Sequence, residues 1–150
     1  MTFREPHMFK RVHAPEELLR ALLIRAIVFM EEQGVSCSEE MDGHDFGAVH
    51  ILGEVDGEPV ACGRIRFQSE RAFLQRLAVR QAWRKKKLGS ALLTFMLDEC
   101  RAEGFHRFEL HAQTRAMGFY RKHGFVAIGE EFEEAGIPHV HMRLEDPRPR

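Results

Sequence analysis

A chain of 150 residues, 44% hydrophobic and 30% charged, has the make-up of one globular domain able to bury a core without staples. A formal net charge of −1 gives no global field toward nucleic acid or an anionic membrane, so any basic site must be local. Three cysteines, odd in number and far apart, argue against a disulfide framework or a cysteine-rich zinc site and fit a reducing, cytoplasmic setting. No apolar run reaches the ~20 residues of a membrane span. The first six residues lack the apolar centre of a signal peptide, and the tail from Asp146 to Arg150 reads as frayed. One domain over residues 1–150 is expected, with its core between about residue 8 and residue 145.

In chain order, Met8 to Val12 alternate weakly and predict a first strand. His13-Ala-Pro-Glu-Glu17 reads as a helix start, with Pro15 near the first helical position and acids in the first turn. Leu18, Leu19, Leu22, Leu23, Ala26 and Met30 recur at helical spacing, and Gly34 is the expected stop. From Val35 to Gly47 the chain is acidic and irregular. Ala48 to Val55 and Pro59 to Phe67 read as strands joined by an Asp56-Gly57 hairpin turn. Phe73 to Val79 predicts a third strand, with Phe73, Gln75, Leu77 and Val79 on one face and Leu74, Arg76 and Ala78 on the other. A basic loop, Arg84 to Lys87, leads into a helix striped by Leu88, Ala91, Leu92, Phe95, Met96 and Cys100 and closed by Gly104. Phe105 to Ala112 is a strand, Arg115 to His123 a short helix capped by Gly124, and Phe125 to Ile128 and Val140 to Leu144 the last strands. This order implies an α/β fold with a central mixed sheet flanked by helices.

The stretch from Leu77 to Leu93 is the most informative. A strand feeds a short loop, and the loop opens a helix whose first turn presents unpaired N–H groups and partial positive charge. Such an end binds phosphate. Arg84, Lys85, Lys86 and Lys87 add charge beside it, Gly89 lets a ligand approach the backbone, and Ser90 offers a hydroxyl. Taken alone, the run reads first as a solvated basic helix start, with a nucleic-acid patch as a second alternative. No aromatic ladder or second basic cluster accompanies it, which weakens the nucleic-acid reading.

Several motifs together resemble the GNAT family of N-acetyltransferases. Arg84-Lys-Lys-Lys-Leu-Gly89 resembles that family's pyrophosphate loop, R/Q-x-x-G-x-G/A, and Leu77-Ala-Val79 the strand that pairs with pantetheine. Gln113 to Phe125 resembles its later A-x-x-F-Y-x-x-x-G-F signature. Phe29-Met-Glu-Glu-Gln-Gly-Val35 with Glu40, Asp42, Asp45 and His50, and Ala135-Gly-Ile-Pro-His139 with Met142, resemble the ElaA-like branch. The resemblance implies a single GNAT-like domain with a mixed, mostly antiparallel sheet, using acetyl-CoA as co-substrate. It implies cofactor contacts at Leu77, Ala78, Val79 and from Arg84 through Lys85, Lys86, Lys87, Leu88 and Gly89 to Ser90. One departure stands out: the family has glycine where this chain has Lys87, and often where it has Lys85. Lysine resists positive φ, so a right-handed backbone is expected at Lys87.

The implied chemistry moves an acetyl group from acetyl-CoA to a primary amine by direct attack. Tyr120, the only tyrosine, is the acid that the resemblance implies for the departing thiolate; helical spacing alone favours a buried aromatic with its hydroxyl tied to backbone. Glu32, Glu40, Asp42 and His111 are open as the base. Glu32, Gln33, Glu40 and Asp42 lie in the segment expected to meet the acceptor, a small-molecule or peptide amine, although such acidic runs are commonly solvated loops. His139 and His141 face one way on a strand and with His50 or His44 have metal-ligand types, but H-x-H arises readily by chance and no metal is expected. Trp83 is expected to pack the loop onto the core, and Cys100 to be a small core residue. Two other function classes compete: an acyl-CoA-binding sensor or regulatory module with little turnover, and a nucleic-acid-binding domain resting on the basic run alone. No membrane or nucleic-acid partner is expected. A homodimer is open, with no residues marking an interface.

Overall fold

The computed structural model describes residues 8–148, so the expectations for the first six residues and for the last two of the tail lie outside the described region. Short strand β1 (Phe9–Arg11) precedes helix α1 (Pro15–Arg25). Proline opens the helix, and the Glu17 carboxylate accepts from the N–H groups of His13 (2.8 Å) and Ala14 (3.0 Å). Those bonds, with Lys10, hold the Glu17 carboxyl down at about 2.

The helix does not run regularly to Gly34. From Ala26 to Glu32 it widens into a π-helical stretch, a rare form concentrated at functional sites, and Gly34 at φ 73° ends it. Its buried face also differs from the expected leucine stripe. Ala21, Ile24, Arg25 and Val28 face the sheet, while Leu19 and Leu23 are 62% and 58% exposed. The helix is apolar nearly all round, so spacing could not choose the face. The side bearing Arg25 is buried, where that cation finds its carboxylates.

The segment expected to be irregular contains one helical turn, α2 (Cys37–Glu40), capped by the Ser36 hydroxyl, which accepts from the Glu39 N–H. Strands β2 (Val49–Val55) and β3 (Glu58–Gln68) form a hairpin with Asp56 and Gly57 both at positive φ, as that dipeptide predicts. Strand β4 (Arg71–Val79) follows, then a 3₁₀ turn at Gln81–Trp83 and helix α3 (Leu88–Ala102). Leu88, Leu92, Met96 and Cys100 are buried as expected, Leu93 and Leu97 join them, and Ala91 is exposed. Trp83 packs against this core. Strand β5 (Arg107–Gln113), helix α4 (Met117–Lys122) and strands β6 (Val126–Glu134) and β7 (Ile137–Glu145) complete the fold. The last two strands are longer than predicted. Ala135 and Gly136 at positive φ join them in a second tight hairpin, where exposed glutamates break the apolar alternation.

The seven strands form one sheet in the order β1-β2-β3-β4-β5-β7-β6. Every pairing is antiparallel except β4 with β5, which the α3 crossover makes parallel. Helix α1 covers one face through Leu52, Cys62 and Ala78. Helix α3 covers the other, so closely that a Cβ on Gly63 would lie 2.4 Å from Met96 Sδ. The tail is not frayed at Asp146: its N–H bonds the His106 carbonyl and its carboxylate pairs with Arg101 at 2.6 Å. Among the described residues no helix is long and apolar enough to cross a membrane.

Candidate active site

Two irregularities open the sheet. Between Cys62↔Ala78 and Arg64↔Gln75 the register slips, so that Arg76 and Leu77 together oppose Gly63. This is a bulge, and Arg76 carries it at φ 56°. The unbroken alternation expected from Phe73 to Val79 therefore fails, since one extra residue re-aims every side chain beyond it. Then β4 and β5 part. Only Arg71↔Arg107, Ala72↔Phe108 and Phe73↔Glu109 pair. Beyond them the strands diverge around a cavity of about 720 Å³, walled on one side by Leu77, Ala78 and Val79 and on the other by Leu110, His111 and Gln113. The β4 backbone beyond Phe73 has no ladder partner on β5, and at its end the Val79 carbonyl accepts from Arg84 Nε (2.8 Å).

A buried ionic layer supports the bulge. Arg25 and Arg64, 1% and 0% exposed, are held by carboxylates from the acidic segment. Arg25 donates to Glu40 Oε1 (2.6 Å) and Asp45 Oδ1 (2.6 Å); Arg64 donates to Asp42 Oδ2 (2.6 Å), Asp45 Oδ1 (2.9 Å) and Gln75 Oε1 (2.8 Å). Arg76 Nη2 bonds the Glu40 carbonyl at 3.0 Å, and its Nε lies 2.8 Å from Glu40 Oε2 as an ion pair without hydrogen-bond alignment. The Arg64 hydrogen bond holds the Asp42 carboxyl well below the usual carboxylate range. Burial pushes Asp45 up, but Arg25 and Arg64 overcome it and keep that carboxyl low. The acidic segment is thus neither a solvated loop nor a free anionic patch. Glu40 and Asp42 touch the cavity, but arginines already neutralise them. Of the other residues expected to meet the acceptor, Gln33 lines the cavity and bonds Gln113 at 2.8 Å, whereas Glu32 pairs with Arg84 at 2.9 Å outside its walls.

The basic loop corrects an expectation. Lys87 is left-handed (φ 63°, ψ 16°), not right-handed, and Lys85 is also at φ 63°. The loop has kept a glycine-like path despite its lysines, because the α3 start must turn from β4 within a few residues. Arg84 is anchored, donating to the Val79 carbonyl (2.8 Å) and to Glu32. Lys86 lies 5.4 Å over the Trp83 ring. Leu88 is buried, so only its backbone can meet a ligand. Gly89 is open, since a Cβ there would only touch Phe119 at 3.7 Å. The Ser90 hydroxyl shares a 2.9 Å hydrogen bond with His123 Nε2, a partner the sequence did not reveal.

Tyr120 lines the same cavity from α4, its ring held by Phe119 and Phe125. Burial alone pushes its hydroxyl up to about 12, so it is a neutral donor at physiological pH; no backbone tie of the kind that would mark a structural tyrosine contributes. His111 lies across the cavity on β5, its Nδ1 3.0 Å from Glu134 Oε1. That bond raises the imidazole above its usual 6.5 against opposing burial. His139 and His141 do not converge on a metal. His139 Nδ1 donates to the Ile137 carbonyl (2.7 Å), His141 Nε2 pairs with Glu109 (2.6 Å), and His50 bonds the Asp45 carbonyl (2.8 Å). Among the described residues no group of three or more His, Cys, Asp or Glu side chains could hold a metal ion.

Both the sequence and the fold resemble those of known proteins. The acetyltransferase (GNAT) domain family matches residues 26–146. The YyaT protein of Bacillus subtilis (strain 168) is 38% identical over 139 residues, covering 91% of this chain and 94% of that protein. ElaA of Escherichia coli (strain K12) is 33% identical over 135 residues, covering 86% of this chain and 88% of its own. The ElaA crystal structure superimposes with a TM-score of 0.82 at 31% identity, covering 91% of this chain and 98% of that one. An aminoglycoside 6′-N-acetyltransferase complexed with coenzyme A shares the fold alone, with a TM-score of 0.75 at 14% identity over 95% of this chain and 99% of that one. The chain belongs to the GNAT acetyltransferase family.

Proposed function

We propose that the protein transfers an acetyl group from acetyl-CoA to a primary amine by direct attack. The observation that carries this reading is the cavity where β4 and β5 part, because its walls include β4 backbone without a β5 ladder partner, Arg84 of the basic loop and Tyr120. Coenzyme A in the aminoglycoside acetyltransferase supports the donor class. Pantetheine would lie along Leu77 to Val79, with the pyrophosphate at the α3 N-terminus beside Lys85, Lys86 and Lys87. An N–H of the bulge region would stabilise the oxyanion as it forms.

In this mechanism the acceptor ammonium gives one proton to His111, and the freed amine attacks the thioester carbon. The C–N bond forms and the C–S bond breaks as the tetrahedral oxyanion collapses. Tyr120 gives its proton to the departing sulfur, and the nitrogen's second proton returns to the phenolate. The net proton leaves His111 for solvent. Glu40 and Asp42 act through the bulge they support, and Gln33 meets the acceptor directly.

Melting with and without acetyl-CoA, followed by thiol release across cadaverine, tyramine and glycinamide, tests the reading. Acetyl-CoA should raise Tm, because a ligand bound only by the native state stabilises it. Gly89→Asp should abolish the shift, since it adds charge and bulk where the structure has open space. Binding without thiol release for any of the three amines would favour the acyl-CoA-binding module instead.

A further inference from the structure

We propose that Glu134 is a positioning residue that prepares His111 to take the proton of the acceptor amine, a role that rests on the acetyl-transfer reading above. The two residues lie on strands that do not pair. His111 is on β5 and Glu134 ends β6, and β7 runs between them. The side chains meet over β7, with Glu134 Oε1 3.0 Å from His111 Nδ1. Both line the cavity that also holds Leu77 to Val79 and Tyr120.

Proton chemistry fixes the tautomer. A carboxylate only accepts, so Nδ1 carries the hydrogen and neutral His111 keeps its lone pair on Nε2. The Glu134 carboxyl is held below its usual value chiefly by that same bond, so it is ionised at neutral pH. Phe132 meets the ring edge-on at 5.0 Å and His141 lies 5.3 Å away. Glu134 has a second neighbour. It precedes the tight turn at Ala135 and Gly136, and its Oε2 lies 3.7 Å from His139 Nε2. Around His111 the titratable groups are Glu134 of β6, Glu109 on its own strand, and His139 and His141 of β7. From β4, Arg76 acts on Glu134 and not as a direct partner of the imidazole.

The arrangement resembles no ordinary surface ion pair in what it would do. An exposed pair contributes little to stability. A carboxylate that selects one imidazole nitrogen as the base sets how much of the ring is in the productive tautomer, which accounts for part of the ~10²–10⁴-fold that a positioned base supplies.

The test uses Glu134→Ala, Glu134→Gln and His111→Gln in the full chain, each checked for unchanged Tm. Nitrogen-15 NMR of the histidine rings reads tautomer and titration midpoint without any acceptor. Glu134→Ala should lose the Nδ1–H tautomer at His111 and lower its midpoint. Glu134→Gln, which keeps an acceptor oxygen without the charge, should retain the tautomer while the midpoint still falls. Thiol release from acetyl-CoA with cadaverine, tyramine and glycinamide then reads function. The acid limb of kcat/KM should move to lower pH in both Glu134 variants. The alkaline plateau should drop about tenfold in Glu134→Ala and less in Glu134→Gln. An unchanged tautomer, midpoint and rate in Glu134→Ala, with His111→Gln inactive, overturns the role of Glu134 alone. An unchanged acid limb and rate in His111→Gln overturns the base reading, and Glu134's role with it, whatever the NMR shows.

Discussion

At the scale of single residues, Tyr120 and the two left-handed lysines give opposite lessons. Tyr120 was legible because it is the only tyrosine and sits in a recognisable run on a short helix. The structure adds that its hydroxyl is neutral and that the residue lines the cavity. Tyr120→Phe should therefore keep Tm and CoA affinity while kcat falls by ~10²-fold or more. Full turnover in the folded variant would remove it as the acid. Lys85 and Lys87 were visible as oddities, but the backbone at Lys87 was misjudged: propensity favours a right-handed lysine, and both lysines are left-handed here. Each lysine in that region costs about 1 kcal/mol. Lys85→Gly with Lys87→Gly should raise Tm and flatten the salt dependence of CoA binding, by removing strain and charge together. A lowered Tm would show that the strain is not there. Glu134 was not legible. It lies 23 residues from His111, and only the β5-β7-β6 register brings them together.

At the scale of elements, the order of strands and helices could be read because apolar periodicity and the Asp56-Gly57, Gly104 and Gly124 punctuation survive in the structure. The bulge in β4 could not, because no glycine marks it and Arg76 takes the positive φ. Its cause lies far away in sequence, in the carboxylates of Glu40 and Asp42. The ionic layer that ties α1, the acidic segment, β3 and β4 together makes a sharp prediction. Arg64→Leu takes from Asp42 its main partner and from Asp45 one of two, leaving Arg76 and Arg25 respectively, and should cost about 3 kcal/mol in urea unfolding at neutral pH. The sign with pH follows from the lowered carboxyls. Their contribution is present above the unfolded value of ~3.9 and is lost as pH falls through the lower folded values. The gap between parent and variant should thus be widest above about pH 5 and close on acidification. A gap independent of pH would mean that packing, not charge, sets the cost.

At the scale of the whole molecule, the sheet is two antiparallel leaves. One is β1 to β4, the other β5 to β7, and the parallel pairing from Arg71 to Phe73 with Arg107 to Glu109 is the only strand ladder between them. The seam works like a book spine sewn at one end. A spreading motion there breaks a ladder of three register pairs, against seven between β2 and β3, so backbone amides bordering it should exchange hydrogen sooner than those between β2 and β3. A ligand threaded into the open end would be the missing stitch. Exchange mass spectrometry with saturating acetyl-CoA should slow residues 74–79 and 110–113 most while leaving β2 and β3 nearly unchanged. Uniform slowing would describe a rigid sheet that gains only global stability. Selective slowing would mean that in this molecule the co-substrate serves, for as long as it is bound, as a structural member of the fold.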